Sequence, residues 1–214
     1  MKIKVPTSLG EITLEQYKRF LKIENEVESD KFLNAKMIEI FCGIPLDQVI
    51  LLKLKDSEEI VQVLSKLFDL KPDLVKTFEI GKKQYGFHPQ LDDLTLGEYI
   101  DLDTFIGDWD NMEKAMNVLY RPVLVKVKEK YSIEEYIVNN QEPLLKMPMD
   151  AVMSAIFFLW NLGLDLSLIM TNSLENQETE ALTQYLNSQA NGVGINQFTH
   201  SLKEMLDDLK ISLN

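Results

Sequence analysis

Apolar residues recur at helical spacing along much of the chain. Over 56–70 a polar opening, Asp56, Ser57, Glu58 and Glu59, leads into Ile60, Val63, Leu64, Leu67 and Phe68. Steps of three and four put those five on one face, which predicts an amphipathic helix. The stretch 148–170 is the longest apolar segment and predicts a helix with Pro148 at its start, where the missing N–H is tolerated. Two more helices are predicted over 176–189 and 196–209, separated by Asn191, Gly192, Val193 and Gly194. Alternation appears in three places. Ile3 and Val5 predict a short N-terminal strand over 1–5. Residues 77–80 and 84–87, joined by Gly81, Lys82 and Lys83, predict a β-hairpin. Val123, Val125 and Val127 against Lys126, Lys128 and Lys130 predict a strand over 123–128 with a basic outer face.

Three sites share one helix-start code: Ile12-Thr13-Leu14-Glu15-Gln16-Tyr17, Leu94-Thr95-Leu96-Gly97-Glu98-Tyr99 and Tyr131-Ser132-Ile133-Glu134-Glu135-Tyr136. Each has Ser or Thr three residues before Glu or Gln, the capping box, in which two backbone N–H groups are satisfied reciprocally. Each also has an apolar residue before the cap and a Tyr four residues after it, the pair of a hydrophobic staple. Three helix starts are predicted, at Thr13, Thr95 and Ser132. The first two continue alike into 37–45 and 116–122, each ending in a proline, Pro45 and Pro122. Units 9–45 and 91–122 are therefore candidates for a duplicated helical hairpin, with convergent capping chemistry as the alternative. The expected fold is mainly α with a small β component: a multi-helix globular core over 1–170. The helical pair in 171–214 either packs on that core or is presented to a partner.

Composition narrows the function. With 45% apolar and 26% charged residues, and 9 Gly and 7 Pro, the chain is neither disordered overall nor collagen-like. Lys and Arg number 22 against 34 Asp and Glu, a net charge of −12, which repels phosphate backbones and argues against nucleic-acid partners. The excess concentrates in 92–113, with Asp92, Asp93, Glu98, Asp101, Asp103, Asp108, Asp110 and Glu113 and no Lys or Arg before Lys114. That stretch reads as an acidic docking face or cation site, or else as solvated helix faces. The uncharged run between Asp150 and Asp165 falls short of the ~20 residues a membrane span needs, so a buried helix is expected. One cysteine, Cys42, and a start without a signal-type apolar core point to a cytoplasmic site.

Candidate chemistry is sparse. His88, His200 and Cys42 have no nucleophile–base motif around them. Calcium loops started at Asp101 or Asp108 fail, with Phe105 or Met112 where an oxygen ligand belongs; a looser magnesium site at Asp101, Asp103 or Asp108 remains. No phosphate-binding loop is present, since Gly192-Val193-Gly194 lacks the third glycine and a preceding strand. No catalytic residue, metal or cofactor is expected. The apolar face Phe198, Leu202, Met205 and Leu209 of the last predicted helix is the candidate partner-binding surface, with packing on its own core as the alternative.

The segments Glu11-Ile-Thr-Leu-Glu-Gln-Tyr17, Phe41-Cys-Gly-Ile-Pro45, Gly86-Phe-His-Pro-Gln-Leu-Asp-Asp-Leu-Thr-Leu-Gly-Glu-Tyr-Ile-Asp-Leu-Asp103, Asn117-Val-Leu-Tyr-Arg-Pro122 and Tyr131-Ser-Ile-Glu-Glu-Tyr136 together resemble small virion-assembly proteins of tailed bacteriophages. The nearest group is the tail assembly chaperones, and the likeness runs over 1–166. It implies a helical, non-enzymatic factor that shields the elongated tape-measure protein in the host cytoplasm. It carries no functional residue across, because these segments are caps and core turns. The chain departs from that group in its set of capped helices, where a longer open apolar groove is expected. The alternative is a structural virion component, such as a connector, ring or internal protein. In that reading the chain is a homo-oligomer whose basic strand 123–130 meets the acidic stretch 92–113 across neighbouring copies.

Overall fold

Helix α1 (Leu14–Glu24) starts where its cap places it, in a computed structural model that describes residues 2–26, 29–138, 140 and 142–175. Thr13 Oγ1 accepts from the Gln16 N–H at 3.2 Å, and Gln16 Oε1 accepts from the Thr13 N–H at 2.9 Å. The same side chain ties α1 to α2 (Asp30–Cys42), because Gln16 Nε2 donates to the Ile40 carbonyl at 2.8 Å. Helices α3 (Leu46–Val49) and α4 (Leu54–Phe68) follow; of the predicted apolar face of α4, Leu64, Leu67 and Phe68 are buried and Ile60 half-buried, while Val63 is exposed. Thr95 builds the second box at α5 (Leu96–Phe105), and α6 (Met112–Leu119) comes next. Both boxed helices are preceded by a 3-10 turn, Leu9–Glu11 and Leu91–Asp93. The two units part at their ends. Helix α2 stops at Gly43, whose φ of 66° is the left-handed conformation that glycine adopts without strain, whereas α6 runs directly into a strand.

The third predicted helix start is wrong. Ser132 lies in β4 (Lys130–Ile133), paired with Val125 of β3 (Tyr120–Val127). Tyr131 beside it donates its hydroxyl to the Phe87 carbonyl at 2.8 Å, and its ring crosses Gly86, where an added Cβ would lie 2.5 Å from Tyr131 Cε2. Strand pairing and this ring seat outweigh a local capping preference worth about 1 kcal/mol. Thr13→Ala and Thr95→Ala should therefore each lose about 1 kcal/mol in urea unfolding, and Ser132→Ala no more than about 0.5 kcal/mol. Equal losses at all three would contradict the strand at Ser132.

The sheet is antiparallel in the order β1-β2-β3-β4, with β1 (Thr77–Ile80) and β2 (Lys83–Phe87) forming the expected hairpin. Strand β3 begins earlier than its alternation suggests. Tyr120, Arg121 and Pro122 pair with β2, and Val123, Val125, Lys126 and Val127 pair with β4. The predicted N-terminal strand does not form; residues 2–6 belong to no helix or strand, since alternation without a ladder partner makes no sheet.

One core joins helices and sheet. Phe78, Tyr85, Phe87 and Tyr120 line its sheet side, and Ala151, Val152, Ala155 and Ile156 of α7 (Met149–Glu175) pack into it. The Tyr120 hydroxyl donates to the Val75 carbonyl at 2.8 Å. The start of α7 is stitched to the start of α1: Leu14 N–H donates to the Met147 carbonyl at 2.9 Å and Met149 N–H to the Ile12 carbonyl at 2.8 Å. Among the described residues no helix is long and apolar enough to cross a membrane. The predicted helices over 176–189 and 196–209, with Phe198, His200, Leu202, Met205 and Leu209, lie outside the described residues.

Candidate functional site

Arg121 and Tyr120, adjacent in β3, point to opposite faces of the strand as period two requires. Tyr120 enters the core, and Arg121 meets α5: its Nη1 donates to Glu98 Oε1 at 2.9 Å, with both side chains buried. Glu98 is also the reciprocal half of the α5 capping box, because its Oε2 accepts from the Thr95 N–H at 2.8 Å and the Thr95 hydroxyl at 2.7 Å. One carboxylate thus caps a helix and pins it to the sheet. Burial pushes its pKa upward, but the Thr95 hydrogen bonds and the Arg121 charge outweigh that, holding Glu98 below its ordinary value. The Arg121 Nε has no hydrogen-bond partner among the described residues.

Around this pair lies further buried polarity. The Tyr136 hydroxyl donates to Asp101 Oδ2 at 2.6 Å, and Asn117 Nδ2 donates to the Ile137 carbonyl at 3.0 Å. His88 accepts at Nδ1 from the Gln90 N–H at 3.3 Å; burial, then the nearby Arg121, lower its pKa, so the ring is neutral at neutral pH. Arg121 occupies one Glu98 oxygen and Thr95 the other, so the carboxylate is engaged in structure. The Arg121–Glu98 pair clamps α5 onto the sheet, and the other two bonds tie the segment 134–138 to α5 and α6.

The acids of 92–113 separate by role. Glu98 and Asp101 are engaged as above, Asp108 accepts from the Asp110 N–H at 2.8 Å, and Glu113 pairs with Lys18. Asp92, Asp93 and Asp103 are exposed. Among the described residues no group of three or more His, Cys, Asp or Glu is placed to hold a metal ion. The structure does not gather Asp101, Asp103 and Asp108 into a cation site.

Cys42, the last residue of α2, is half-buried, and burial pushes its thiol up to about 11. The protonated thiol is a poor nucleophile, so an aromatic disulfide reagent near pH 7 should modify Cys42 at least about tenfold more slowly than free cysteine. Release of the coloured thiolate measures it. Modification at the rate of free cysteine would mean an open, reactive thiol.

An open cleft of about 820 Å³ is lined by Lys76, Phe87, His88, Gln90, Tyr131, Phe158 and Leu162 among others. Its charges are mixed, with Lys76 and Lys130 as well as Glu129 and Asp92 in the lining. More distinctive are large apolar side chains that face solvent. At the corner between α3 and α4, Ile50 is 69% exposed, Leu51 82% and Leu54 71%. On α5, Leu96, Tyr99 and Ile100 form an outward stripe, although Leu102 and Ile106 of the same region are buried. On β3, Leu124, Val125 and Val127 are all exposed, so the valine side of the predicted strand is not the shielded one. Sequence reasoning placed the interaction surface at Phe198, Leu202, Met205 and Leu209 and missed these positions, which carry ordinary core residue types. One signal was available: α5 has apolar residues on both sides of its axis, more than one buried stripe needs.

Comparison with known protein families, with curated proteins and with solved structures returns no match for this chain.

Proposed function

We propose that this chain is a non-enzymatic bacteriophage assembly protein, akin to a tail assembly chaperone, that binds and shields an elongated tape-measure protein in the host cytoplasm. The phage assignment rests on the sequence resemblance over 1–166. The observation that carries the binding role is the corner where Ile50, Leu51 and Leu54 stand in solvent. Clustered exposed aliphatics on a folded surface mark protein-interaction sites, and an amphipathic helix of an extended partner covers such a patch with its own apolar face. The net charge of −12 keeps the resulting complex soluble. By their spacing in the sequence, Phe198, Leu202, Met205 and Leu209 are a second candidate contact for the same partner.

Coexpression with the tape-measure protein tests this reading. The parent should keep that partner soluble and copurify with it. Leu51→Asp with Leu54→Asp should abolish copurification while changing stability by no more than about 0.5 kcal/mol, since both side chains already face water. A double variant that still holds the partner would remove the corner from the interface, and a tape-measure protein indifferent to the parent would remove the chaperone role.

The alternative, a structural component of the particle, is favoured by a different observation. Exposed Lys126, Lys128 and Lys130 around β3 and β4 are complementary in charge to exposed Asp92, Asp93 and Asp103 around α5. Presence of the polypeptide in purified particles would favour this alternative over the chaperone.

A further inference from the structure

We propose that the hairpin arm of β3 and β4 docks on the outer face of α5 in a second copy of this chain. The inference rests on and deepens the structural-component alternative, and it does not use the α3–α4 corner on which the tape-measure reading depends.

The arm is the part of the sheet least able to stand alone. Beyond Pro122, β3 pairs with β4, and the register with β2 ends at Pro122. A two-stranded ribbon is marginal in water unless a face is covered. Here the cover is partial: the half-buried Tyr131 ring seats over Gly86, while Leu124, Val125 and Val127 are all exposed. The pairing irregularity between Val123 and Val125 sets the arm off from the rest of the sheet. Lys126, Lys128 and Lys130 are exposed around it, with Glu129 at the turn.

The outer face of α5 has the opposite character. Leu96, Tyr99 and Ile100 stand three and four residues apart and point outward, while Glu98 and Leu102 hold the other side of the helix in the core. Exposed Asp93 and Asp103 flank the stripe, and no Lys or Arg occurs from Asp92 to Glu113. Aliphatic and basic on the arm therefore match aliphatic and acidic on the helix.

Both complementary surfaces belong to one polypeptide, and each is exposed within it. The arm of a chain therefore does not cover that chain's own α5. A second copy supplies the missing half, either reciprocally in a two-fold dimer or head to tail in an open series. Such contacts place apolar side chains at the centre and charges at the rim, where charge governs partner choice and salt dependence.

Sedimentation velocity on the full chain tests this. The parent should populate species of at least twice the monomer mass in the micromolar range, and added salt should weaken them. The arm variant Lys126→Glu with Lys128→Glu and the face variant Asp93→Lys with Asp103→Lys should each be monomeric alone. An equal mixture of the two should associate again, because the reversed charges then complement each other. Leu51→Asp with Leu54→Asp should self-associate like the parent, which separates this proposal from the chaperone reading. A photo-reactive residue in place of Ile100, in a mixture of isotopically distinct copies, should crosslink to residues 120–133 of the other copy. That measurement holds even if a charge variant folds poorly. A parent that stays monomeric throughout, association that survives both reversals, a mixture that fails to reassemble, or crosslinks from position 100 to 196–209 would each overturn the proposal.

Discussion

Replacing Arg121 by leucine should cost about 3–5 kcal/mol, because it leaves the Glu98 carboxylate buried without its cation. Glu98 is 4% exposed, so water does not replace the lost guanidinium. Against a typical total of about 5–15 kcal/mol, that loss takes a large share of the folding free energy. The double variant Glu98→Gln with Arg121→Met should recover much of it, since no uncompensated charge then remains. The pH dependence gives an independent reading. In the parent the folded-state pKa of Glu98 is depressed: burial raises it, but the Thr95 hydrogen bonds and Arg121 prevail. Its stabilisation is thus fully present above the unfolded-state pKa and is lost as pH falls through the folded value. In Arg121→Leu the lowering by the cation is lost while the two Thr95 hydrogen bonds remain, so the folded pKa of Glu98 lies higher than in the parent. The stability that Glu98 loses on acidification is then smaller than in the parent. Urea midpoints between pH 7 and pH 4 for parent and variant measure both effects. A variant as stable as the parent, with the same pH slope, would show that the pair carries no stability.

Local chemistry was legible in the sequence and long-range chemistry was not. Thr13 and Thr95 were found because a capping box is complete within four residues. Ser132 carries the same code and became strand, because its fate is decided by β3 and by the seat of Tyr131 over Gly86. Glu98 was read correctly as a cap. Its second bond, to Arg121, joins a helix to a strand and has no sequence signature. The strand near 123–128 was visible from its alternation, yet alternation shows only that two faces differ. It does not say that the apolar face finds a cover, and Val125 and Val127 do not. For the candidate surface the failure has one physical cause. Leu51, Leu54, Leu96 and Ile100 are residue types most often buried, and their exposure follows from how the helices are placed against one another. The acidic stretch shows the converse, since five of the eight acids in what looked like one charged feature are engaged in caps, hydrogen bonds or ion pairs.

The helical side of the core depends on a chain of aromatic rings with Phe41 in its interior. Phe41 of α2 lies 5.3 Å from Phe20 of α1 and 5.5 Å from Phe68 of α4, measured between ring centroids. Phe68 in turn lies 5.3 Å from Tyr17, which lies 4.9 Å from Trp109. Three helices from separate parts of the sequence therefore meet on one ring. Phe41→Ala should cost about 3–5 kcal/mol, the range for a buried phenylalanine whose site collapses only partly. Two ring contacts go with it, each worth about 0.5–1.5 kcal/mol beyond burial and already counted in that range. Phe41→Leu keeps most of the volume and should cost distinctly less. Neighbouring Cys42→Ala, at a half-buried site outside the ring chain, should cost less than Phe41→Ala. The urea midpoint should fall for Phe41→Ala with an unchanged slope if helices and sheet unfold together, as their shared core requires. A reduced slope or two separate transitions would mean that the helices around Phe41 open before the sheet does, and the stitch between Ile12, Leu14, Met147 and Met149 would not be enough to couple them.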